Sequence, residues 1–419
     1  MAKRILSFVL ATLMMAVLLP ALSLAAAEKV TVVMWHTLTD HHEQVLLKII
    51  EDFNALQDAY EVVAQQQPYS EFDAKVMQAT RNNAGPDFVS MFPSLAIQYI
   101  TEGLLTDYAP YINDPDIGIP NFRDNISEGI FGEITQWGGG QIFIFPITLT
   151  GEVLFYNKTL FDELGLEAPQ TWSDVEAYSK TIYAEKGIPG FGTDSITDTF
   201  QCLIKQAGSG YIDAANLVMD MDRDIAIEKL NWFADGVKAG YFRLVGEDMY
   251  FSNPFGSGAV ASYIGSSAGV NYVFAAVGDS FEVGCVPIPQ EGPVKYISSW
   301  GAGDVCFSKD EAKARGVYEF LKYFASVDVV LAWAEGFGSV PVYKDAVATE
   351  RFRAFAEGNI AIKALAEELD LVGYLDAVLG ADAVRNHIDE MVQLVALGVT
   401  DAETAFDNFV EACNNEIKK

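Results

Sequence analysis

Apolar and polar positions alternate along the chain in blocks that predict strands and helices in turn. An apolar run at residues 30–35 predicts a strand, and residues 60–64 predict the next one. Between them, apolar residues recur at helical spacing from Val45 to Phe53. This opening predicts an α/β fold with a polar loop after residue 35. Ligands bind at the carboxyl ends of strands in open α/β sheets, so Trp35 and His36 are expected at a site edge.

The apolar run at residues 143–158 predicts a strand that bends or leaves its sheet. Pro146 and Gly151 interrupt it, and proline cannot donate a hydrogen bond to a strand ladder. An ordinary core strand with a bulge is the alternative. Beyond it, Gly165 predicts the end of a short helix, and Thr171 with Asp174 predicts a capping box for the next.

Several segments together resemble one protein family. The segment LFYNKTLFDELGLEAPQTWSDVEAYSK is similar to a signature of the extracellular solute-binding proteins of sugar-type ABC transporters. The opening VTVVMWHTLTDHHEQVLLKIIEDFNAL and the later YSEFDAKVMQATRNNAGPDFVSMFPS resemble further blocks of that family, in the same order. The Trp35-His36 pair is like that of the glycerol-3-phosphate-binding branch.

The resemblance implies a two-lobe periplasmic-binding-protein fold of type II, whose lobes close over a solute. Hinge strands are expected at residues 143–158, 297–307 and 336–341. The expected division is residues 1–27 as a signal peptide, 28–148 plus 298–340 as the N-terminal lobe, and 149–297 plus 341–419 as the C-terminal lobe.

Topology and the resemblance together predict a set of solute-binding residues. These are Trp35, His36, Tyr69, Ser94, Thr148, Thr150, Ser266, Ser267, Trp300, Gly301 and Arg385. Arg385 falls on the arginine that binds phosphate in glycerol-3-phosphate binders; a surface ion pair with Asp382 or Asp389 is the alternative. Two positions depart from that branch, because Pro93 and Ser339 stand where it carries a contacting glutamate and tyrosine.

Some of these candidates have a structural alternative as plausible as the binding role. Ser266 and Ser267 could place hydroxyl groups beside unpaired backbone N–H groups at a helix N-terminus, or they could only cap that helix. Trp300 could stack on a sugar ring or be buried at the hinge. Thr148 and Thr150 are expected at the floor of the cleft.

The first residues predict export. Lys3 and Arg4 precede an apolar stretch that ends at Pro20, and small residues at 24–27 suit signal peptidase. No cysteine lies in the cleavage region, so the lipid anchor of many relatives is not expected. A diffusible periplasmic or extracellular protein follows. With 419 residues, half of them hydrophobic, the chain is long enough for two lobes.

The net negative charge of the chain excludes some classes of binding partner. Without Lys3 and Arg4, 25 basic residues oppose 58 acidic ones, a net charge of −33 that repels nucleic acid and anionic membranes. No metal or cofactor is expected, because the four cysteines lack CxxC spacing and the histidines at 36, 41 and 42 match no metal motif. Cys285 and Cys306 could form a disulfide; buried thiols are the alternative.

These patterns predict a binding protein rather than an enzyme. The expected function is the monomeric solute-binding component of an ABC importer, which captures a carbohydrate or a polyol phosphate resembling glycerol-3-phosphate. It would deliver this solute to permease subunits powered by a cytoplasmic ATPase. Neutral mono- or oligosaccharides are the alternative solutes. A secreted hydrolase is the alternative of another class, although H-E-x-x-H does not occur.

Overall fold

A computed structural model describes residues 29–417, so the predicted signal peptide lies outside the described residues. The strands are β1 Val30–His36, β2 Tyr60–Gln66, β3 Phe88–Met91, β4 Phe145–Asn157, β5 Phe191–Thr193, β6 Ile212–Asp213, β7 Val218–Met219, β8 Phe242–Arg243, β9 Ser262–Ser266, β10 Val283–Val286, β11 Ser299–Cys306 and β12 Val340–Pro341. The order of strands and helices is the mixed α/β arrangement that the sequence predicts.

Helices surround these strands. They are α1 Asp40–Leu56, α2 Phe72–Arg81, α3 Pro93–Thr101, α4 Ala109–Ile112, α5 Glu128–Thr135, α6 Lys158–Leu164, α7 Trp172–Lys186, α8 Ile196–Gln206, α9 Arg223–Ala239, α10 Ser252–Gly256, α11 Val270–Val277, α12 Glu311–Phe324, α13 Val327–Phe337, α14 Lys344–Val347, α15 Glu350–Glu357, α16 Ile360–Glu367, α17 Ala381–Ala396 and α18 Ala402–Glu416. Short 3-10 helices cover Tyr69–Glu71, Gly246–Asp248, Ser267–Gly269 and Leu369–Leu371.

The main sheet has the strand order β2-β1-β3-β11-β4-β9-β5-β8, and β10 and β12 pair with β4 off this path. β1 lies parallel to β2 and β3, and β5 lies parallel to β8 and β9. The three central pairings, β3 with β11, β11 with β4, and β4 with β9, are antiparallel. Two parallel half-sheets are therefore joined through β4 and β11.

The long strand β4 changes partner half-way along its length. Phe145 to Gly151 pair with β11, whereas Glu152 to Tyr156 pair with β9. The β4–β11 register shifts at Gly303, opposite Pro146, which is where the missing proline N–H interrupts the ladder. The run that the sequence marked as a crossing is thus one strand shared by both half-sheets.

Local signals fix several helix ends. Thr171 and Asp174 form the predicted capping box of α7, and Gly165 ends α6 with a φ of 65°. The last helix differs from its local pattern: Thr400-Asp401-Ala402-Glu403 predicts a capping box that begins at Thr400, but Asp401 is the N-cap. The Asp401 carboxylate accepts a hydrogen bond of 2.8 Å from the Thr404 N–H.

The lobe boundaries remain predictions, but the structure shows how the chain packs near residues 148 and 341. Pro341, at the predicted start of a C-terminal segment, pairs with Thr148 in the first half of β4. Lys344 N–H donates to the Asn125 carbonyl at 2.8 Å, so this short segment lies beside the first half-sheet. All four cysteines are free thiols, so the disulfide alternative between Cys285 and Cys306 is not realised.

Candidate functional site

A cavity of about 110 Å³ lies where the two half-sheets meet. The first half-sheet contributes the turn into α3, a side chain of α5 and one residue of β11. The second half contributes α8, the start of α17, and the loops around residues 211, 296 and 375. The walls are formed by Phe92, Pro93, Ser94, Glu133, Asp198, Gln201, Tyr211, Ile212, Tyr296, Ser298, Gly301, Gly373, Tyr374, Leu375, Asp376, Ala377, Ala381, Asp382 and Arg385.

A buried ion pair forms one wall of this cavity. Asp198, in the first turn of α8, is fully buried and receives two hydrogen bonds of 2.9 Å from the Arg385 guanidinium. Ser298 Oγ donates to the same carboxylate at 2.9 Å, and Ser195 Oγ also donates to it. Burial alone would lower the pKa of Arg385, but the hydrogen bonds and charge of Asp198 raise it. The positive charge of Arg385 is therefore already balanced within the protein.

Two buried polar groups on the cavity wall have no protein partner. The Tyr211 hydroxyl and Gln201 Oε1 make no hydrogen bond within residues 29–417, although the two residues are only 4% and 2% exposed. The Gln201 amide donates instead to the Tyr296 hydroxyl. A buried polar atom without a partner costs free energy, so a polar solute in the cavity would relieve that cost.

Glu133 faces the ion pair from the other side of the cavity. It lies on α5 and also lines a smaller pocket beside Thr148 and Pro146. Burial raises the pKa of Glu133 to about 8, and no hydrogen bond or nearby charge among the described residues contributes to this shift. A Cβ atom at Gly301 would lie 3.6 Å from Glu133 Oε2, so the glycine leaves the space beside the carboxyl group open.

The rim of the cavity adds further negative charge. Asp376 and Asp382 line it and are exposed. Burial raises the pKa of Asp376, while Lys205 acts in the opposite direction. Asp73, on α2 across the opening, has a pKa raised first by burial and then by the charge of Asp382. Four carboxyl groups thus line the cavity against one guanidinium, with Lys205 as a further cation nearby.

Helix α5 approaches the opposite wall closely through its glycines. A Cβ at Gly129 would lie 1.7 Å from the Val372 carbonyl oxygen, and one at Gly132 would lie 2.3 Å from the Tyr374 ring. At the end of α5, Gln136 Oε1 accepts a hydrogen bond of 2.7 Å from the Ala377 N–H. These contacts hold Glu133 against the 372–377 segment.

The structure brings four predicted site residues to this region. Ser94, Gly301 and Arg385 line the main cavity, and Thr148 lines the adjoining smaller pocket. The Thr148 hydroxyl also accepts a hydrogen bond of 3.2 Å from Trp333 Nε1. Their roles toward a solute stay predictions, and Arg385 already uses its two terminal nitrogens on Asp198.

Three predicted residues of the first half-sheet lie away from the cavity walls. Trp35 Nε1 donates to Gln65 at 2.9 Å, and the Lys75 ammonium lies 5.2 Å from its ring centroid. His36 is buried, which lowers its pKa, although Glu43, 4.0 Å from its Nε2, acts in the opposite direction. Tyr69 is 83% exposed on its 3-10 helix, so its ring is free to meet a solute or a partner.

The remaining predicted residues cluster where β4 changes partner. Thr150 is paired with Trp300 in the β4–β11 register, and the side chain of Trp300 lies outside the described residues. Ser266 Oγ accepts a hydrogen bond from the Ala268 N–H at 3.3 Å, which is the capping alternative. Ser267 is fully buried, and its Oγ accepts a hydrogen bond from the Gly151 N–H at 3.4 Å.

The family follows from comparison with known proteins. A family model described as bacterial extracellular solute-binding protein matches residues 48–357. The chain belongs to this family. Its members bind solutes and are not enzymes, so the assignment as a binding protein rests on family membership.

Curated relatives and solved structures agree with this assignment. The chain is 22% identical to the sn-glycerol-3-phosphate-binding periplasmic protein UgpB of Rhizobium meliloti over 91% of this chain and 93% of that protein. The cyclic alpha-maltosyl-1,6-maltose binding protein from Arthrobacter globiformis is 22% identical with a TM-score of 0.80, covering 92% of this chain and 98% of that one.

A second similar structure is that of UgpB from Mycobacterium tuberculosis in complex with glycerophosphocholine. It is 19% identical with a TM-score of 0.75, covering 92% of this chain and 98% of that one. The structural likenesses confirm the predicted two-lobe α/β fold. Among residues 29–417, no helix combines the length and apolar character that a membrane span requires.

Sequence reasoning missed most of the polar residues of the cavity. Asp198 had a usable signal, because it lies in the first turn of the helix that follows β5, near the carboxyl end of a parallel strand. Glu133 had one too: it lies three residues after Ile130 and one before Ile134, both buried, so helical spacing puts a carboxyl group beside an apolar face. Gln201, Tyr211 and Tyr296 carry no comparable local signal.

Proposed function

We propose that this protein captures a small, hydroxyl-rich solute of the carbohydrate class in the cavity between its half-sheets and delivers it to the permease of an ABC importer. We infer the class of solute from the charged residues of the cavity. Arg385 is balanced by Asp198, and Glu133, Asp376 and Asp382 add three further carboxyl groups. A phosphate dianion would meet net negative charge there, whereas a solute without negative charge would not.

The surrounding groups suit a hydroxylated solute. The Tyr211 hydroxyl and Gln201 Oε1 offer unused hydrogen-bonding capacity, and carboxylates accept hydrogen bonds from hydroxyl groups. Phe92 and Tyr374, each 38% exposed, add aromatic rings to the lining of the cavity. Aromatic faces combined with a few directed polar groups are typical of small-molecule sites.

Glycerol-3-phosphate is the second candidate solute. It is supported by the relatives named for binding it and by the place of Arg385 on the cavity wall. For Arg385 to clamp a phosphate, it would have to release Asp198 or use its remaining N–H groups. The proposed hinge lies in β4 and β11, and the exported protein acts as a monomer. The lobes take the boundaries expected from the sequence, except that residues 341–344 belong with the first half-sheet.

Thermal-shift and calorimetric titrations test this proposal, because a solute that binds only the folded state raises its melting temperature. The panel comprises neutral mono- and disaccharides, amino sugars, glycerol-3-phosphate and glycerophosphocholine. We expect carbohydrates to stabilise the protein and glycerol-3-phosphate not to do so. Stabilisation by glycerol-3-phosphate alone would refute the carbohydrate proposal and support the second candidate.

A further inference from the structure

Of the two buried carboxyl groups on the cavity wall, Asp198 has hydrogen-bond partners in the protein and Glu133 does not, within residues 29–417. Asp198 has its full set of partners, with two hydrogen bonds from Arg385 and two from serine hydroxyls. Glu133 has none within residues 29–417, and burial alone accounts for the rise of its pKa to about 8. Keeping a carboxyl group there is costly unless something binds it.

The Tyr211 hydroxyl and Gln201 Oε1 are an independent sign that a ligand belongs in this cavity. Both are more than nine-tenths buried, line the same cavity as Glu133, and make no hydrogen bond to any described residue. Gln201 Oε1 is an acceptor, and the Tyr211 oxygen can accept as well as donate. A ligand group with several N–H donors would satisfy acceptors of this kind together with the Glu133 carboxylate.

We propose that the solute carries a positively charged amino group, so that the ligand class is an amino-bearing carbohydrate or polyol whose ammonium is bound by Glu133. This inference rests on the proposed function and narrows it. An ammonium has three donors and no acceptor, which matches a carboxylate and neighbouring oxygen acceptors. An opposite charge within a few ångströms favours the ionised form of a carboxyl group, so the ammonium would lower the raised pKa of Glu133.

The rest of the cavity is consistent with a cation. Asp376 and Asp382 at the rim, with Asp73 across the opening, make the approach negative, and such a field raises the local concentration of cations. Tyr374 also lines the cavity, and an aromatic ring attracts a nearby cation. Arg385 balances Asp198 at one end of the cavity, so the carboxyl groups at the rim supply the excess negative charge. The buried Glu133 carboxyl group becomes charged when the ammonium binds beside it.

Matched pairs of sugars that differ in charge test the inference. The pairs are glucosamine with glucose, galactosamine with galactose, and the glucosamine disaccharide with its fully N-acetylated form, each titrated calorimetrically at pH 7. We expect at least one amino member to bind at least tenfold more tightly than its neutral partner. Glu133→Gln should reduce that preference to less than threefold without loss of folding, because glutamine has nearly the same shape.

Glu128→Gln is the control variant. Glu128 lies on the same helix, is 88% exposed and pairs with Arg123, so its loss should leave the preference unchanged. If neutral sugars bind as tightly as the amino sugars, or if Glu133→Gln keeps the full preference, the inference fails while the carbohydrate function stands. If no sugar in the pairs binds and only glycerol-3-phosphate does, both the inference and the proposed function fail.

Discussion

The Asp198–Arg385 pair provides the sharpest test of how the cavity is built. If Arg385 is chiefly a structural partner of Asp198, then Arg385→Ala must destabilise the protein even when no solute is present. If Arg385 instead serves only to bind a solute, the same change would weaken binding and leave the free energy of unfolding nearly unaltered. The two roles therefore differ in a quantity that needs no knowledge of the solute.

The magnitude follows from the hydrogen bonds to Asp198. Its carboxylate is fully buried, and two of its four hydrogen bonds come from Arg385, both at 2.9 Å. A hydrogen bond to a charged group contributes about 1.5–3 kcal/mol, so losing both lowers the free energy of unfolding by about 3–6 kcal/mol. Removing one partner of a buried ion pair has a similar cost, because the other charge stays buried.

Urea titrations of solute-free protein at pH 7.5, followed by tryptophan fluorescence, measure this loss. The double variant Asp198→Asn with Arg385→Ala should be more stable than Arg385→Ala alone by about 1–2 kcal/mol, because it also removes the unpaired buried charge of Asp198. Arg123→Ala is the control: its pair with Glu128 is exposed, and we expect a change below about 0.5 kcal/mol. A loss below about 1 kcal/mol for Arg385→Ala would refute the structural role of the pair.

Three further changes test the fold and its pH dependence. Thr171→Ala removes the capping box of α7 and should lower the free energy of unfolding by about 1 kcal/mol, measured by urea titration. Gly129→Ala places a methyl group 1.7 Å from the Val372 carbonyl oxygen, so the melting temperature should fall; an unchanged value would contradict this close approach. Asp304 is buried and its pKa is raised to about 6, an effect that the Ser90 hydrogen bond opposes. Folded Asp304 therefore holds its proton while the unfolded chain has lost it, and stability falls as the pH rises from about 4 to 6, by at most about 3 kcal/mol. Asp304→Asn should flatten that part of the stability profile, and an unaltered profile would contradict the assignment.

The sequence was most informative where local chemistry decides the structure. The capping box at Thr171 and the glycine end of α6 are formed as predicted, because a cap depends on residues within one helical turn. The prediction that Thr400 caps the final helix is wrong, and the reason is also local. Asp401 competes with Thr400 for the N-cap position, and the carboxylate of Asp401 receives the Thr404 N–H.

The candidate site was predicted only in part. Arg385, Gly301 and Ser94 line the cavity. The ion-pair alternative for Arg385 named residues of its own helix, whereas its partner is Asp198 on α8. Neighbours at helical spacing are visible in a sequence, whereas a contact between two helices far apart in the chain is not. For the same reason, the isolation of Glu133 could not be read from its local pattern.

The sequence by itself determined the order of elements, the strand shared at residues 143–158 and the family, since periodicity, caps and motif order are properties of short segments. The tertiary structure decided the electrostatics of the cavity. A buried carboxyl group can be paired with a cation, as Asp198 is, or lack a charged partner, as Glu133 does. Which of the two occurs depends on the distant segments that pack around the group and on how much water they exclude. That difference, and not the number of acidic residues in the chain, is the basis on which we propose a positively charged solute rather than a phosphate.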